Sequence, residues 1–210
     1  MKQTSIATAF ISLSLFAACS ASSDTPPPDA MQNNSSASQD SSWTWDGTTL
    51  SGKHTVVLKT SKGDITLELD ADAAPKTVTN FMALTASDYY KDLTFHRVIP
   101  GFMIQGGDPN GNGTGGQSIF GATFEDEIDA DSDLYATGYK AGVIAMANRG
   151  PDTNGSQFFI MDTDYLLPPN YTIFGRVTEG QDIVNVIART DRDAGDMPTE
   201  KVTFDAVVIQ

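Results

Sequence analysis

Residues 95–108, which read FHRVIPGFMIQGGD, decide the fold. They are mostly apolar and rich in residues that favour β-strands, and a Pro-Gly pair at 100–101 divides them into two segments. Because side chains alternate along a strand, Phe95, Arg97 and Ile99 are predicted to share one face of the first segment. The stretch therefore predicts a fixed cation among large apolar side chains, followed by a change of chain direction.

The second segment brings an amide close to this cation. Met103 and Gln105 are predicted to lie on one face, with Phe102 and Ile104 on the other. A guanidinium cannot act as a base and a primary amide does not titrate, so these groups indicate hydrogen bonding rather than proton transfer. If the stretch stood alone, a core strand whose Arg97 reaches solvent would be the simpler interpretation.

The rest of the chain predicts short strands and two helices. Apolar and polar residues alternate on both sides of a turn at 61–63, which predicts a β-hairpin. Helical spacing predicts helices over 75–87, beginning at a proline, and over 182–188, with Ile183, Val186 and Ile187 on one side. Further strands are predicted over 142–147, 156–161, 171–177 and 202–209. This pattern indicates a mainly β fold, an antiparallel barrel or sandwich.

Composition limits the classes of partner. The chain has 210 residues, 40% of them hydrophobic, which is enough for one ordinary domain and an accessory segment. Its formal net charge of -14 repels phosphate backbones and anionic lipid, so nucleic acid is not an expected partner.

The first residues predict export. Lys2 precedes a mostly apolar run over 6–18 that is too short to span a bilayer, as in a signal peptide. Cys19 follows small residues and is the only cysteine, so no intramolecular disulfide can form. The arrangement resembles a bacterial lipobox and predicts a lipoprotein signal peptide over 1–18, with lipidation of Cys19. The alternative is an ordinary signal peptide in which Cys19 is incidental.

A tether is predicted to connect this anchor to the folded domain. Residues 19–45 are rich in Ser, Asn and Pro, which predicts disorder. The folded domain is predicted to occupy 46–210. We expect an exported protein of a bacterial cell envelope, on its periplasmic or extracellular face, that meets the membrane solely through the lipid on Cys19.

Two further motifs have competing interpretations. Residues 111–116 satisfy G-x-G-x-x-G, but no strand precedes them and no helix follows, so a loop that approaches a peptide closely is favoured over a dinucleotide site. Asp129, Asp131 and Asp133 imitate a calcium loop, but Leu134 and Lys140 occupy the positions that need glycine and glutamate. A solvated acidic loop is favoured, and no metal or cofactor is expected.

Three blocks in order resemble the cyclophilin family of peptidyl-prolyl cis-trans isomerases. They are residues 95–108, the loop NGTGG at 112–116, and MANRGPDTNGSQFFI at 146–160. The resemblance extends from about His54 to Ile209. It implies a closed eight-stranded antiparallel β-barrel with a helix over each end, acting as a monomer on Xaa-Pro bonds of polypeptides.

The resemblance also implies the roles of the site residues. Arg97 would be the catalytic residue, Gln105 its orienting partner, and Asn148 would hold the residue before the proline through its backbone. Four side chains would surround the proline ring: Phe102, Met103, Phe159 and Leu167. The remaining substrate-binding positions would be Gly113, Ala147, Arg149, Gln157, Leu166 and Tyr171.

The sequence departs from the family pattern at three of these positions. Leu166 and Tyr171 stand where many members carry tryptophan and histidine, so cyclosporin binding is not expected, whereas isomerase activity is. Arg149 stands where alanine is frequent. We hypothesise that it favours acidic residues near the substrate proline.

Two rival functions follow from the residues. A serine hydrolase would have to use His96, since His54 is the other histidine, but no G-x-S-x-G elbow is present and a histidine beside a buried arginine is more often structural. A non-catalytic chaperone or scaffold that binds proline peptides would use the same groove without turnover.

Overall fold

The first β-hairpin forms where the alternation predicts it. The computed structural model describes residues 45–129, 131–132, 135 and 138–209. In it, β1 (Lys53–Thr60) and β2 (Gly63–Asp70) pair antiparallel in full register. Their inward side chains are fully buried, so one face of this hairpin supplies part of the core. Predictions that fall on residues 1–44, including the signal peptide, Cys19 and most of the tether, lie outside the described residues.

The strands form one curled antiparallel sheet. The strands β3 (Leu93–Thr94) and β4 (Arg97–Ile99) lie at opposite ends of its pairing order. Two residues separate them in the chain, so the sheet has to curve back on itself. Phe95 N donates to Val202 O (3.0 Å) and Val98 N donates to Asp196 O (2.9 Å) across this junction. The other strands are β5 (Met103–Gly106), β6 (Val143–Met146), β7 (Phe158–Met161), β8 (Ile173–Glu179) and β9 (Thr203–Ile209). The pairing order is β3-β9-β1-β2-β8-β6-β7-β5-β4.

The predicted all-β antiparallel barrel with two helices is thus confirmed for the described residues. The described strands number nine rather than the eight that the resemblance implies, and one of them, β3, has two residues. The helices are α1 (Pro75–Ala86) and α2 (Gln181–Ala188). Val184, Ile187 and Ala188 are the buried residues of α2, whereas Val186, predicted on the buried side, is 54% exposed.

A distant carboxylate completes the start of α1. Pro75 lies in its first turn, and Ala74 at the N-cap has no side chain that could accept a hydrogen bond. Glu127 instead accepts hydrogen bonds from the backbone N–H of Lys76 (2.9 Å) and of Thr77 (2.7 Å). These N–H groups have no partner within a helix, so Glu127 satisfies them from 50 residues away in the chain.

Strands β5 and β7 are buried on both faces. Ile104 and Ile160 point into the main core inside the sheet. Met103 and Phe159 belong to a second apolar cluster on the outer face of the sheet. Phe95, which was predicted to share a face with Arg97, packs in the main core instead, because β4 begins at Arg97 and the chain turns between the two residues.

A buried carboxylate holds the Pro-Gly turn between β4 and β5. The side chain of Asp162 is fully buried, and it accepts hydrogen bonds from Gly101 N (2.7 Å) and from Arg189 Nη1 (3.0 Å). Thr163 Oγ1 donates to the carbonyl of Gly101 (2.9 Å). Gly101 has φ of 76°, which favours glycine. The turn that precedes Phe102 is therefore tied to the end of α2.

Arg189→Ala should lower the free energy of unfolding by about 3 kcal/mol, because it leaves the buried Asp162 carboxylate without its cation. Urea unfolding at neutral pH measures this change. Arg192→Ala is the matched control, since it also removes one arginine, but its ion pair with Asp196 is partly exposed and should be worth less than about 1 kcal/mol. Similar losses in both variants would contradict the role assigned to Asp162.

Candidate active site

The functional side chains lie in one row across three strands of the outer face. Strand register pairs Arg97 on β4 with Gln105 on β5, and Gln105 with Phe159 on β7. Side chains at paired positions lie on the same face of a sheet and contact one another. The register of β4 and β5 thus places a cation beside an amide, as predicted for Arg97 and Gln105, and the register of β5 and β7 adds the ring of Phe159 to the row.

This row borders a cavity of about 180 Å³, which we call the main cleft. Its floor is apolar: Met103 and Phe159 are 2% and 5% exposed. Phe102 contributes from the turn before β5, on the same side as Met103 and not on the opposite face as predicted, because β5 begins at Met103. Nine predicted residues line the main cleft: Arg97, Phe102, Met103, Gln105, Ala147, Asn148, Phe159, Leu167 and Tyr171.

Two amides connect Arg97 to the neighbouring loop. Arg97 Nη1 donates to Gln105 Oε1 (3.4 Å), and Gln105 Nε2 donates to Gln157 Oε1 (3.0 Å). Gln157 Nε2 in turn donates to the carbonyls of Gly113 (3.1 Å) and Gly115 (2.8 Å). Arg97 has no ion pair with a carboxylate among the described residues. Its guanidinium therefore keeps donors available to a ligand in the main cleft.

The glycine loop is folded around its own carboxylate. Asp108 accepts hydrogen bonds from the N–H groups of Asn110 (2.8 Å), Asn112 (3.0 Å) and Gly113 (2.6 Å). Burial acts to raise the pKa of Asp108, but these bonds outweigh it and lower the pKa. The loop amides are therefore bonded to a protein carboxylate, and no helix begins in residues 117–129 directly after the loop, where a dinucleotide-binding motif would need one.

A second cavity of about 80 Å³, the side cavity, adjoins the main cleft. The two share Gln105, Ala147 and Asn148 as walls. Three predicted binding residues line the side cavity and not the main cleft: Gly113, Arg149 and Gln157. The structure thus divides the predicted groove into an apolar part and a polar part that meet at Asn148.

Leu166 is the predicted binding residue that the structure does not bring to either cavity. Its side chain is 98% exposed, and it borders a separate surface depression with Tyr139 and Lys140. Leu167, its neighbour, faces the main cleft instead. The resemblance implied a binding role for Leu166 from its position in the sequence, but in this loop, which departs from the family pattern, the side chain points outwards.

Two tyrosines that the sequence analysis missed fix one side of the main cleft. Tyr135 and Tyr139 donate their hydroxyl hydrogens to the carbonyl of Tyr171, at 2.5 and 2.9 Å. Burial raises the pKa of both tyrosines, so they remain donors. No local pattern marks these tyrosines, and they lie outside the three blocks that carried the resemblance.

The hydrolase interpretation of His96 finds no support in the structure. His96 is 5% exposed, and neither of its ring nitrogens has a hydrogen-bond partner among the described residues. A catalytic base needs a nucleophile within hydrogen-bond reach. Burial lowers the pKa of His96, an effect that Asp108 opposes and Arg97 strengthens, so the ring is held neutral. His96 is a buried structural residue beside the glycine loop.

Within the described ranges, no group of three or more His, Cys, Asp or Glu side chains is arranged to hold a metal ion. Over the part of the chain that the structure describes, no helix has the length and apolar character needed to cross a bilayer.

Comparison with known proteins identifies the family. A family model described as "Cyclophilin type peptidyl-prolyl cis-trans isomerase/CLD" matches residues 55–208. The human protein "Peptidyl-prolyl cis-trans isomerase-like 1" is 50% identical over 148 residues, covering 70% of this chain and 87% of the human protein. "Peptidyl-prolyl cis-trans isomerase CYP18-1" of Arabidopsis thaliana is 46% identical over 158 residues, covering 73% of this chain and 94% of the plant protein.

A solved structure agrees with this match. The crystal structure of a Cryptosporidium parvum cyclophilin-type peptidyl-prolyl cis-trans isomerase superposes with a TM-score of 0.70 at 39% identity, covering 76% of this chain and 99% of that one. A second crystal structure of that protein, in the presence of the dipeptide Ala-Pro, superposes with a TM-score of 0.69. The chain therefore belongs to the cyclophilin-type peptidyl-prolyl cis-trans isomerase family. Its enzyme class is that of these relatives, peptidyl-prolyl cis-trans isomerase.

His96 should make the protein less stable in mild acid. Its pKa in the folded state lies below the unfolded value of about 6.5, so the unfolded chain binds more protons as the pH falls. The free energy of unfolding should therefore decrease as the pH falls through 6.5 towards the folded pKa, and level off below that value.

Urea unfolding of the wild type and of His96→Gln between pH 8 and pH 5 isolates this contribution, because His54 and the carboxylates titrate in both proteins. The wild type should lose more stability than the variant over this range. Parallel pH profiles would show that His96 is not buried in its neutral form.

Proposed function

We propose that the main cleft accelerates rotation about Xaa-Pro bonds and that Arg97 is the catalytic residue. Amide resonance sets a barrier of about 18–20 kcal/mol to this rotation. In the twisted state the prolyl nitrogen regains its lone pair and becomes a better hydrogen-bond acceptor. The Arg97 guanidinium can donate to that nitrogen or to the adjacent carbonyl. One observation supports this role. The Arg97 guanidinium lies beside the apolar floor of the main cleft, and its hydrogen-bond partner among the described residues is the side-chain amide of Gln105, at 3.4 Å.

The expected contribution of Arg97 is moderate. A hydrogen bond from a charged donor contributes about 1.5–3 kcal/mol, which corresponds to one or two powers of ten in rate. The remaining acceleration comes from binding the twisted geometry more tightly than the planar one. The amides of Gln105 and Gln157 support this by restricting the orientation of the guanidinium.

The substrate is a proline-containing polypeptide, as in the Cryptosporidium parvum structure determined in the presence of Ala-Pro. The proline ring lies on Met103 and Phe159, with Phe102 and Leu167 at its edges, because these side chains form the apolar part of the main cleft. The side-chain amide of Asn148 donates to Asn170 O (2.8 Å) and so fixes this residue. Its backbone groups, which have no partner among the described residues, hold the residue before the proline.

The clients are exported or envelope proteins, and the enzyme is a lipoprotein of a bacterial cell envelope. This part of the proposal is supported by the sequence alone: the apolar run that ends before Cys19, and the Ser/Pro-rich tether that follows. A tether of this composition lets a domain act on chains near a membrane surface while its anchor stays in place.

Arg97→Ala should lower kcat/KM for an Xaa-Pro peptide by about 10- to 100-fold while the fold stays intact, because the charge-assisted bond to the twisted amide is lost. Exchange spectroscopy on a proline peptide measures turnover, and circular dichroism checks the fold. Arg176→Ala removes an arginine from β8, away from both cavities, and is the matched control for charge. Full turnover in Arg97→Ala would refute the mechanism; binding without turnover in the wild type would favour the non-catalytic chaperone.

Cys19→Ser should abolish incorporation of a palmitate analogue in a bacterial expression host, because the lipid is predicted to attach to this thiol. Metabolic labelling followed by membrane fractionation measures the result. The wild type should be labelled and sediment with membranes, and the variant should do neither. An unlabelled wild type would leave the ordinary signal peptide as the better interpretation of residues 1–18.

A further inference from the structure

The arginines of the described residues fall into two groups. Three of them form ion pairs with carboxylates at 3.0–3.2 Å: Arg176, Arg189 and Arg192. The other two, Arg97 and Arg149, have no carboxylate within ion-pair distance in the part of the chain that the structure describes. Both of these line the joined cavities of the active site. The chain has 27 acidic residues and 13 lysines and arginines, so most arginines are expected to have a carboxylate partner. The two that lack one therefore indicate a binding surface for an anionic group.

The guanidinium of Arg149 is available to a ligand. Among the described residues, the guanidinium makes one hydrogen bond, from Nη1 to the carbonyl of Thr114 at 3.5 Å, and Arg149 is exposed at the mouth of the side cavity. Asp126 borders a neighbouring depression together with Arg149, but its carboxylate accepts hydrogen bonds from Asn154 Nδ2 (2.8 Å) and Asp152 N (3.0 Å). The nearby acid is therefore satisfied by other groups.

The backbone of Arg149 is held in place. Its N–H donates to Thr153 Oγ1 (2.8 Å), and the Thr153 hydroxyl donates to Gly150 O (2.7 Å). The side chain therefore extends from a fixed point on the rim of the side cavity. Substitution of Arg149 changes the charge at this rim without removing a buried contact, since the residue is exposed.

The geometry of an extended peptide connects the two cavities. Alternate side chains lie on the same side of an extended chain, about 7 Å apart. With the proline ring in the main cleft and the preceding residue held by Asn148, the side chain two positions before the proline lies over the side cavity. Asn148 forms part of the wall of both cavities, as this path requires.

We propose that the side cavity selects an acidic side chain two residues before the substrate proline, with Arg149 as the specificity-determining residue. A guanidinium binds a carboxylate through two parallel N–H donors. A side-chain amide on the substrate can accept a hydrogen bond from the guanidinium, but it lacks the negative charge of a carboxylate. The net charge of the protein does not prevent this, because distant charges are screened beyond about 8–10 Å in physiological salt, whereas Arg149 acts at contact distance. This inference rests on the proposed isomerase function of the main cleft.

Three peptides that differ in one residue test the proposal: Glu-Ala-Pro, Gln-Ala-Pro and Lys-Ala-Pro within an otherwise identical neutral sequence. The wild type should turn over the Glu peptide with a kcat/KM about fivefold higher than the Lys peptide, the size expected for an exposed ion pair and the matching repulsion. The Gln peptide should fall between them. The preference should decrease when the salt concentration is raised to about 1 M.

Variants of Arg149 assign the effect to this residue. Arg149→Ala should bring the Glu to Lys ratio close to one, Arg149→Glu should invert it, and Arg149→Lys should restore part of it. Arg176→Ala, which removes the same charge from a distant strand, should leave the ratio at its wild-type value. Circular dichroism of each variant confirms that the fold is kept.

Equal turnover of the Glu and Lys peptides by the wild type would overturn the proposal, and so would a ratio that survives in Arg149→Ala. An acid preference that appears solely when the charge is placed after the proline would overturn the assigned position. If the wild type isomerised none of the three peptides, the proposed function of the main cleft would fail instead, so the two failures are distinguishable.

Discussion

The active site depends on two strands that are buried on both faces. Inward residues of β5 and β7 fill the core of the sheet, and outward residues form the floor of the main cleft. Because each outward side chain alternates with a core side chain, the position of Phe159 is determined by how Ile160 and Phe158 pack inside the sheet. Arg97 and Gln105 are then placed beside Phe159 by strand register alone. The chemistry of the cleft is thus a consequence of core packing.

Much of this arrangement was predictable because the signals are local. The hairpin of β1 and β2, helix α1 and the row of Arg97 and Gln105 follow from periodicity, a proline at a helix start and a Pro-Gly break. The family resemblance supplied what periodicity could not, namely the barrel and the residues of the main cleft.

The features that escaped prediction are tertiary. Phe95 turns into the core because the chain bends between β3 and β4, and Glu127 caps α1 from 50 residues away. Tyr135 and Tyr139 support Tyr171 through contacts that no local pattern encodes. Leu166 points outwards in a loop that departs from the family pattern. For Glu127 and the two tyrosines a contact between distant segments decides the conformation, and sequence spacing does not report such contacts.

The carboxylate of Asp108 affects how substrates bind and dissociate. Since it already organises the glycine loop, no segment of that wall has to become ordered when a peptide arrives. The entropic cost of shaping this wall was met during folding. Cis and trans peptides can therefore enter and leave this side of the cleft without an ordering step of the loop, so such a step does not limit the cycle of a catalyst that interconverts two isomers of nearly equal free energy.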